Sequence, residues 1–414
     1  FGFFPSIAVG YNISNEKFWQ PIKPVISNLK IRGSWGLVGN DATNAGRFAY
    51  MEDLVLGGSD SYTTGIRQDT YYSGPSWNRY FNPDLTWEVG EKINLGLDLQ
   101  LFNDFNLTFD IFREKRRDIF MTRENSIPEI VGTGETKITS NNGEMENKGL
   151  DLAIDYNKQI TKDFFLSFKS TLTFARNKVL KMDEPPYFEY PGLSDVGHPL
   201  GTYWGYVADG LFPDQETIDN SPRQDLGYTP QPGDIKYVNQ PNAKGEYDNV
   251  INSNDRVAIG HPYDPELVYG FGPSMKWKNW DFSFFFQGVA RTSFMMYGMH
   301  PFGTTSIKNM LQFVADDHWS VDNPNPNAAY PRLTKDSNGN NDQYSTYWLR
   351  NAAFLKLKNA EIGYTYKGMR FYLSGVNLLT FSPFKHWDPE MGGGNGLYYP
   401  TQRVFNIGFQ MTIQ

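Results

Sequence analysis

Between Asn239 and Asp255 the chain reads "NQPNAKGEYDNVINSND", and Asn239, Asn242, Asp248, Asn252 and Asp255 offer side-chain oxygens within that span. A hard cation such as calcium collects about six to eight oxygen ligands, so the segment is a candidate calcium loop. Its spacing is not that of an EF-hand, and runs rich in Asn and Asp more often build turns. Asp388-Pro389-Glu390 places two carboxylates beside Trp387. Paired carboxylates hydrolyse glycosides when held about 5 Å or about 6.5–9.5 Å apart, whereas Asp-Pro in a Gly-rich loop commonly makes a turn. His198, His261, His300, His318 and His386 follow no HExxH spacing, there is no Gly-x-Ser-x-Gly elbow, and the chain has no cysteine. Disulfides, thiolate metal sites and a Cys nucleophile are thereby excluded, and no catalytic residue is assigned. Aromatics crowd the polar stretches: Tyr71, Tyr72, Trp77, Tyr80 and Phe81; Tyr187, Phe188 and Tyr190; Tyr203, Trp204 and Tyr206; Trp387, Tyr398 and Tyr399. A ring with a polar handle can stack on a sugar or peptide, and Trp77, Tyr80, Trp204 and Trp387 are the candidate substrate contacts. Such rings also serve as an interfacial girdle or pack loops.

The elements that would hold these loops are strands. In "INLGLDLQLFNDFNLTFDIF", residues 93–112, Leu95, Leu97, Leu99 and Leu101 share one face, with Asn94, Asp98 and Gln100 opposite; beyond Asn103-Asp104 the alternation resumes with Leu107, Phe109 and Ile111. Period two gives each arm one apolar face and makes the pair a hairpin. The same pattern predicts eleven strands, near 3–13, 29–38, 87–101, 106–121, 144–158, 164–181, 267–277, 281–297, 353–366, 370–381 and 401–413. The plainest are "WDFSFFFQ", with Trp280, Phe282, Phe284 and Phe286 on one face, and the end, with Phe405, Ile407, Phe409, Met411 and Ile413. Pro273 weakens 267–277. A further strand hidden near "GTYWGYVADGLF" would make twelve.

Connections alternate in length. Short ones are expected at 102–105, 159–163, 278–280 and 367–369 and a moderate one at 14–28, with long ones at 39–86, 122–143, 182–266, 298–352 and 382–400. A soluble sandwich has no reason to place short turns at one end and long loops at the other; an outer-membrane barrel does. The apolar faces are therefore expected to meet lipid. Aromatics reach 16% while the chain carries 39 Gly, a net charge of −8 and no apolar run of about 18 residues. Helical spans and a basic nucleic-acid footprint are excluded by those numbers. The fold class is all-β, a transmembrane antiparallel β-barrel. An odd strand count leaves a parallel seam or open edges, and unpaired backbone groups in hydrocarbon cost several kcal/mol each, so part of a barrel is expected, with an N-terminal part missing or processed away. The opening "FGFFPSIAVGYNIS" carries no signal-peptide pattern.

Several phrases, in order along the whole chain, resemble the SusC/RagA-like TonB-dependent outer-membrane transporters: "FGFFPSIAVGYNIS", "LKIRGSWGLVGN", "NPDLTWEVGEKINLGLDL", "MENKGLDLAIDYN", "GDIKYVN", "NDRVAIG", "FLKLKNAEIGY" and "WDPEMGGGNGLYYPTQRVFNIGF". The resemblance implies a barrel of about 22 strands, of which the eleven here form the C-terminal half of the wall. It also implies an N-terminal plug that draws energy through the TonB complex, and a SusD-like surface lipoprotein lying over the long loops, above all 182–266 and 298–352. The implied activity is import of a large nutrient, oligosaccharide or oligopeptide, without enzyme chemistry; the alternative is a structural or adhesive barrel. Two features depart from the pattern. The chain ends Thr412-Ile413-Gln414 rather than on an aromatic residue, and the 239–255 segment lacks most of the acidic ligands of the family's "D-x-N-x-D-G" stretch.

Overall fold

The computed structural model describes residues 2–42, 47–57, 61–123, 125–128, 130, 138–298, 311–334 and 338–411. His300 and the expected terminal residues Thr412, Ile413 and Gln414 lie outside them, as does part of the 122–143 loop. Eleven strands form one sheet: β1 Ser6–Asn12, β2 Ile26–Asn40, β3 Glu88–Leu101, β4 Phe105–Thr122, β5 Thr139–Thr161, β6 Phe164–Lys181, β7 Leu267–Trp277, β8 Trp280–Ala290, β9 Phe354–Tyr366, β10 Met369–Phe381 and β11 Val404–Met411. Each pairs antiparallel with its sequence neighbours, so spatial order is chain order. Among the described residues, β1 and β11 each have one unpaired edge. Among the described residues no helix is long and apolar enough to cross a membrane.

The tight turns gather at one end of this sheet. Phe102 (φ 52°) and Asn103 (φ 60°) turn β3 into β4, and Lys367 (φ 46°) with Gly368 (φ 80°) turn β9 into β10. Such left-handed pairs match the twist of the flanking strands and fix the register. That register sets the faces. Ile31 lies opposite Leu97 and Leu97 opposite Phe109; Phe282, Ile362, Leu373 and Ile407 form a row across β8 to β11. Leu95, Leu373 and Ile407 are exposed at 53%, 54% and 88%, so the apolar face points outward, away from any core.

The opposite face carries ion pairs. Arg32 on β2 lies opposite Gly96, which lies opposite Asp110 on β4. The guanidinium reaches across the glycine to Asp110 at 2.5 Å and pairs with Asp98 at 3.3 Å. A Cβ on Gly96 would stand 2.5 Å from the guanidinium carbon and 2.7 Å from an Asp110 oxygen. The arrangement repeats at Gly363, where a Cβ would lie 2.6 Å from Asp281 and 2.7 Å from Arg370 Nε; Arg370 binds Asp281 and, at 2.5 Å, Glu361.

Three expectations change in detail. Strand 281–297 stops at Ala290, and Ser293–Met295 instead pairs with Leu349–Asn351. The regular alternation of β8 ends at a bulge between Phe285 and Phe286. Pro273 does sit in a wall strand: it stays in register with Phe168 of β6, and the ladder skips it on the β8 side, where a proline has no N–H to give. The "GTYWGYVADGLF" stretch holds two short strands, Tyr203–Gly205 and Ala208–Leu211, that pair within the loops and add nothing to the wall.

Candidate functional site: the packed loop end

The long connections build a core of their own. Tyr206, Leu211, Ile235, Tyr237, Ile251, Ile259, Phe294, Met296, Val314, Tyr330, Trp348 and Phe384 are buried together, joining residues from the connections β6–β7, β8–β9 and β10–β11. A polar hub locks two of them. Asp234, fully buried, accepts hydrogen bonds from Arg332 Nε (2.7 Å), Asn338 Nδ2 (3.0 Å) and Asn341 Nδ2 (2.9 Å). Asn340 donates to the Ile235 carbonyl at 2.8 Å, and the Tyr237 hydroxyl donates to the Asn340 carbonyl at 2.7 Å. "GDIKY" is thus gripped by "NGNN", residues 338–341. Leaving one of these buried groups unpaired would cost about 1–3 kcal/mol, which makes the pairing of the two loops specific.

Asp388-Pro389-Glu390 proves to be a clamp. Lys356 of β9 is fully buried and its ammonium lies 2.6 Å from Asp388 and 2.5 Å from Glu390, which also binds Lys358 at 2.8 Å. Burial alone would raise both carboxyls, but hydrogen bonds from Lys356 and Thr401 to Asp388, and from Lys356 and Lys358 to Glu390, hold them below their ordinary values. Two ionised acids neutralised by lysines have neither a proton to donate nor a free face for a nucleophile, so the turn reading accounts for them.

The oxygens considered for a hard cation point at backbone amides. Asn242 accepts from Lys244 (2.9 Å) and Glu246 (3.0 Å), Asp248 from Val250 (3.0 Å), and Asn252 from Asn254 (2.8 Å). Asp255 accepts from Gln240 (2.7 Å) and Asn252 (2.8 Å); burial pushes it above its ordinary value while those amides pull the other way. The Asn239 amide is buried with no hydrogen-bond partner among the described residues, where no cluster of three acidic or histidine side chains is placed to hold a metal.

The four ring candidates fall into three places. Trp77 stacks on Tyr80 with centroids 5.5 Å apart. Trp204 meets His198 edge-on and donates to Asp195 at 2.6 Å. Trp387 packs on Phe384 (4.6 Å) and donates to the Gly392 carbonyl at 2.9 Å, a role within the loop core. A different set of rings converges. Burial pushes the Tyr203 hydroxyl up to about 12, and Tyr263, Tyr344 and Tyr297 add to the shift as neighbours. Tyr297 is hydrogen-bonded to Tyr398. Tyr263, Tyr297, Tyr344 and Tyr398 are each about half exposed. They come from four separated stretches with no common spacing, so period reading could not collect them.

This architecture has known counterparts. A family model described as TonB dependent receptor-like, beta-barrel, matches residues 1–378. The chain belongs to that family. Members of the TonB-dependent receptor family are outer-membrane proteins and not enzymes. Over 99% of its length the chain is 28% identical to TonB-dependent receptor P26 of Formosa agariphila and 28% identical to TonB-dependent receptor SusC of Bacteroides thetaiotaomicron, covering 42% and 40% of those proteins. The chain therefore spans about two fifths of the length of the curated relatives it matches. The solved RagAB peptide transporter superposes with a TM-score of 0.73 at 22% identity, over 99% of this chain and 43% of that one, a likeness of fold. The eleven strands of this TonB-dependent receptor barrel were all expected from period two, while its loop core and tyrosine cluster were not.

Proposed function

We propose that the chain supplies part of the wall and the loop end of a TonB-dependent importer that carries a large nutrient, an oligosaccharide or oligopeptide, across the bacterial outer membrane. The observation that carries this reading is the single antiparallel sheet with an apolar outer face, an ion-paired inner face and packed loops gathered at one end. Lipid covers the first, water and substrate meet the second, and the loops face out of the cell. The open edges of β1 and β11 pair with further strands of the same protein, whose plug couples transport to the TonB complex. A SusD-like lipoprotein lies over the loops. Phe188 and Val321, exposed at 86% and 84% on the two largest connections, are its contacts.

The test is uptake of labelled oligosaccharide and peptide pools by cells carrying the full-length protein, with and without TonB. Uptake that vanishes without TonB is the expected result. Cells that bind the pool but never internalise it would favour the adhesive barrel instead. Phe188→Asp with Val321→Asp should lower co-purification of the lipoprotein while membrane insertion, which depends on the wall, is unchanged.

A further inference from the structure

The outer face of the wall is apolar over only part of its height. On β5 it reads Lys148, Leu150, Leu152, Ile154, Tyr156 and Lys158, with Leu150 opposite Ile111 and Leu152 opposite Phe109. The two lysines are ten residues apart, about 33 Å along a strand, and at a tilt of about 40° that is about 25 Å of height. An outer-membrane barrel carries an apolar band of that thickness. Lys158, at the turn end, is paired with Asp104 at 2.9 Å. Lys148, at the loop end, has other cations beside it.

Arg113 of β4 and Arg176 of β6 lie directly opposite Lys148, one on each side. Neighbouring strands are about 4.8 Å apart, so the three form one row, and like charges placed opposite each other repel. Two buried carboxylates lie beneath the row. Glu146 is 2.6 Å from Arg113 and 3.4 Å from Lys148, and Glu266 is 3.1 Å from Arg176 and 2.6 Å from Arg291. The three cations themselves are each more than half exposed, which leaves N–H groups for a guest outside the wall. Toward the loops the row is continued by Lys115, 2.9 Å from Glu144, and by the exposed Lys178.

Trp35 marks the level. It lies opposite Ile93, which lies opposite Arg113, and its indole N–H donates to Glu91 at 2.8 Å. A Trp with an apolar body and a polar tip sits where hydrocarbon gives way to headgroups. At the loop ends of β9 and β10 the outer face carries Leu355, Leu379 and Phe381 instead, so the basic row is local to β4, β5 and β6. It stands on a chain of net charge −8 and does not follow from composition.

A guest for this row has to be anionic, to offer oxygens that accept several N–H bonds at once, and to bring an apolar part, since the row borders the lipid-facing band. A phosphate on a lipid headgroup meets all three conditions. Its oxygens accept the arginine forks and the lysine point charges, its charge offsets the repulsion within the row, and its chains run down over Ile111, Leu150 and Phe174. We infer that Arg113, Lys148 and Arg176, continued by Lys115 and Lys178, form a site for the phosphate of a lipid headgroup in the leaflet on the loop side. The inference rests on the importer reading only in that lipid covers this face.

The test uses the full-length transporter purified in detergent, with heat-modifiability on gels as the check that each variant is folded. It is exposed to diphosphoryl lipid A, to the same lipid stripped of its phosphates, and to inorganic phosphate, and native mass spectrometry reads what stays bound. Retention of the phosphorylated lipid is expected to fall about tenfold or more in Lys148→Gln/Lys178→Gln, to survive in Lys148→Arg/Lys178→Arg, and to be unchanged in Lys158→Gln at the other end of the band. Both arginines over the buried carboxylates stay in place in these variants; if the glutamine pair does not fold, Lys148→Gln alone decides. Equal retention by the folded glutamine variant, an equal fall in Lys158→Gln, equal retention of the stripped lipid, displacement of the lipid by inorganic phosphate, or no retention at all would each overturn the inference. TonB-dependent uptake persisting in those cases would leave the importer standing, whereas phosphate-dependent retention without such uptake would remove the importer and keep the site.

Discussion

Gly96 shows how one residue without a side chain organises an inner surface. It is flanked by Leu95 and Leu97 on the outer face and lies under the Arg32 guanidinium on the inner one, where the arginine spans two strand spacings to Asp110. Gly96→Val should cost about 1–3 kcal/mol, because the added carbons displace a bridged ion pair. In an Arg32→Ala background the same change should cost at least about 1 kcal/mol less, since the atoms it strikes are gone. Urea denaturation of the full-length barrel in lipid, across the four proteins of the cycle, checks this; equal costs in both backgrounds would mean that the clash lies elsewhere. The neighbouring positions test the faces themselves. Leu97→Arg should destabilise by about 2–4 kcal/mol if it meets hydrocarbon near mid-span. Asp98→Asn should cost no more than about 1 kcal/mol, because Arg32 keeps Asp110. Heat-modifiability on gels reads both, and equal tolerance at the two sites would refute the assignment.

At the scale of elements, the connection after β10 is fastened to β9 by a buried charge cluster, and that makes its hold on the wall dependent on pH. Asp388 and Glu390 sit below their ordinary values of 3.8 and 4.5, so the stability they lend is full above those values and is lost as pH falls below them, through the depressed ones. Limited proteolysis of the 382–403 connection should accelerate below about pH 4 and be flat from pH 5 to 8. Lys356→Met should loosen it by about 3–5 kcal/mol above about pH 5, where two ionised carboxylates lose a buried cation, and by far less below about pH 4, where they are protonated. Cleavage that ignored both pH and the substitution would show that the loop is held by Phe384 and Trp387 alone. The clamp also marks the limit of what residues disclose. Strands were legible because period two is local and the tight turns carry Asn and Gly. "DPE" was legible as a turn, but not as the partner of Lys356, since residues 32 apart meet only once β9 and β10 are paired. Asn338, Asn340 and Asn341 carry no signal in the sequence; only burial beside Asp234 and Ile235 turns these three amides into a lock. Trp77 with Tyr80, Trp204 and Trp387 lie in three separate places, while the Tyr203, Tyr263, Tyr297, Tyr344 and Tyr398 cluster is a product of tertiary packing that no spacing announces.

For the whole molecule the decisive feature is the pair of open edges. β1 and β11 each present a row of N–H and C=O groups without partners among the described residues, and on their outer face Ile7, Val9, Phe405 and Ile407 are exposed. In water such an edge is an aggregation template, and in lipid each unpaired group costs several kcal/mol. Closing the sheet on itself would bring β1 alongside β11. With eleven strands alternating in direction the two run the same way, so the seam would be parallel. In the importer proposed above, further strands of the full-length protein would pair with both edges and avoid that seam. Residues 1–414 expressed alone and folded into bilayers should therefore give no heat-resistant monomer, while co-folding with the remainder of the full-length protein should restore one. A closed, heat-resistant barrel from this piece by itself would contradict the arrangement, because it would require the parallel seam between β1 and β11 to form in hydrocarbon.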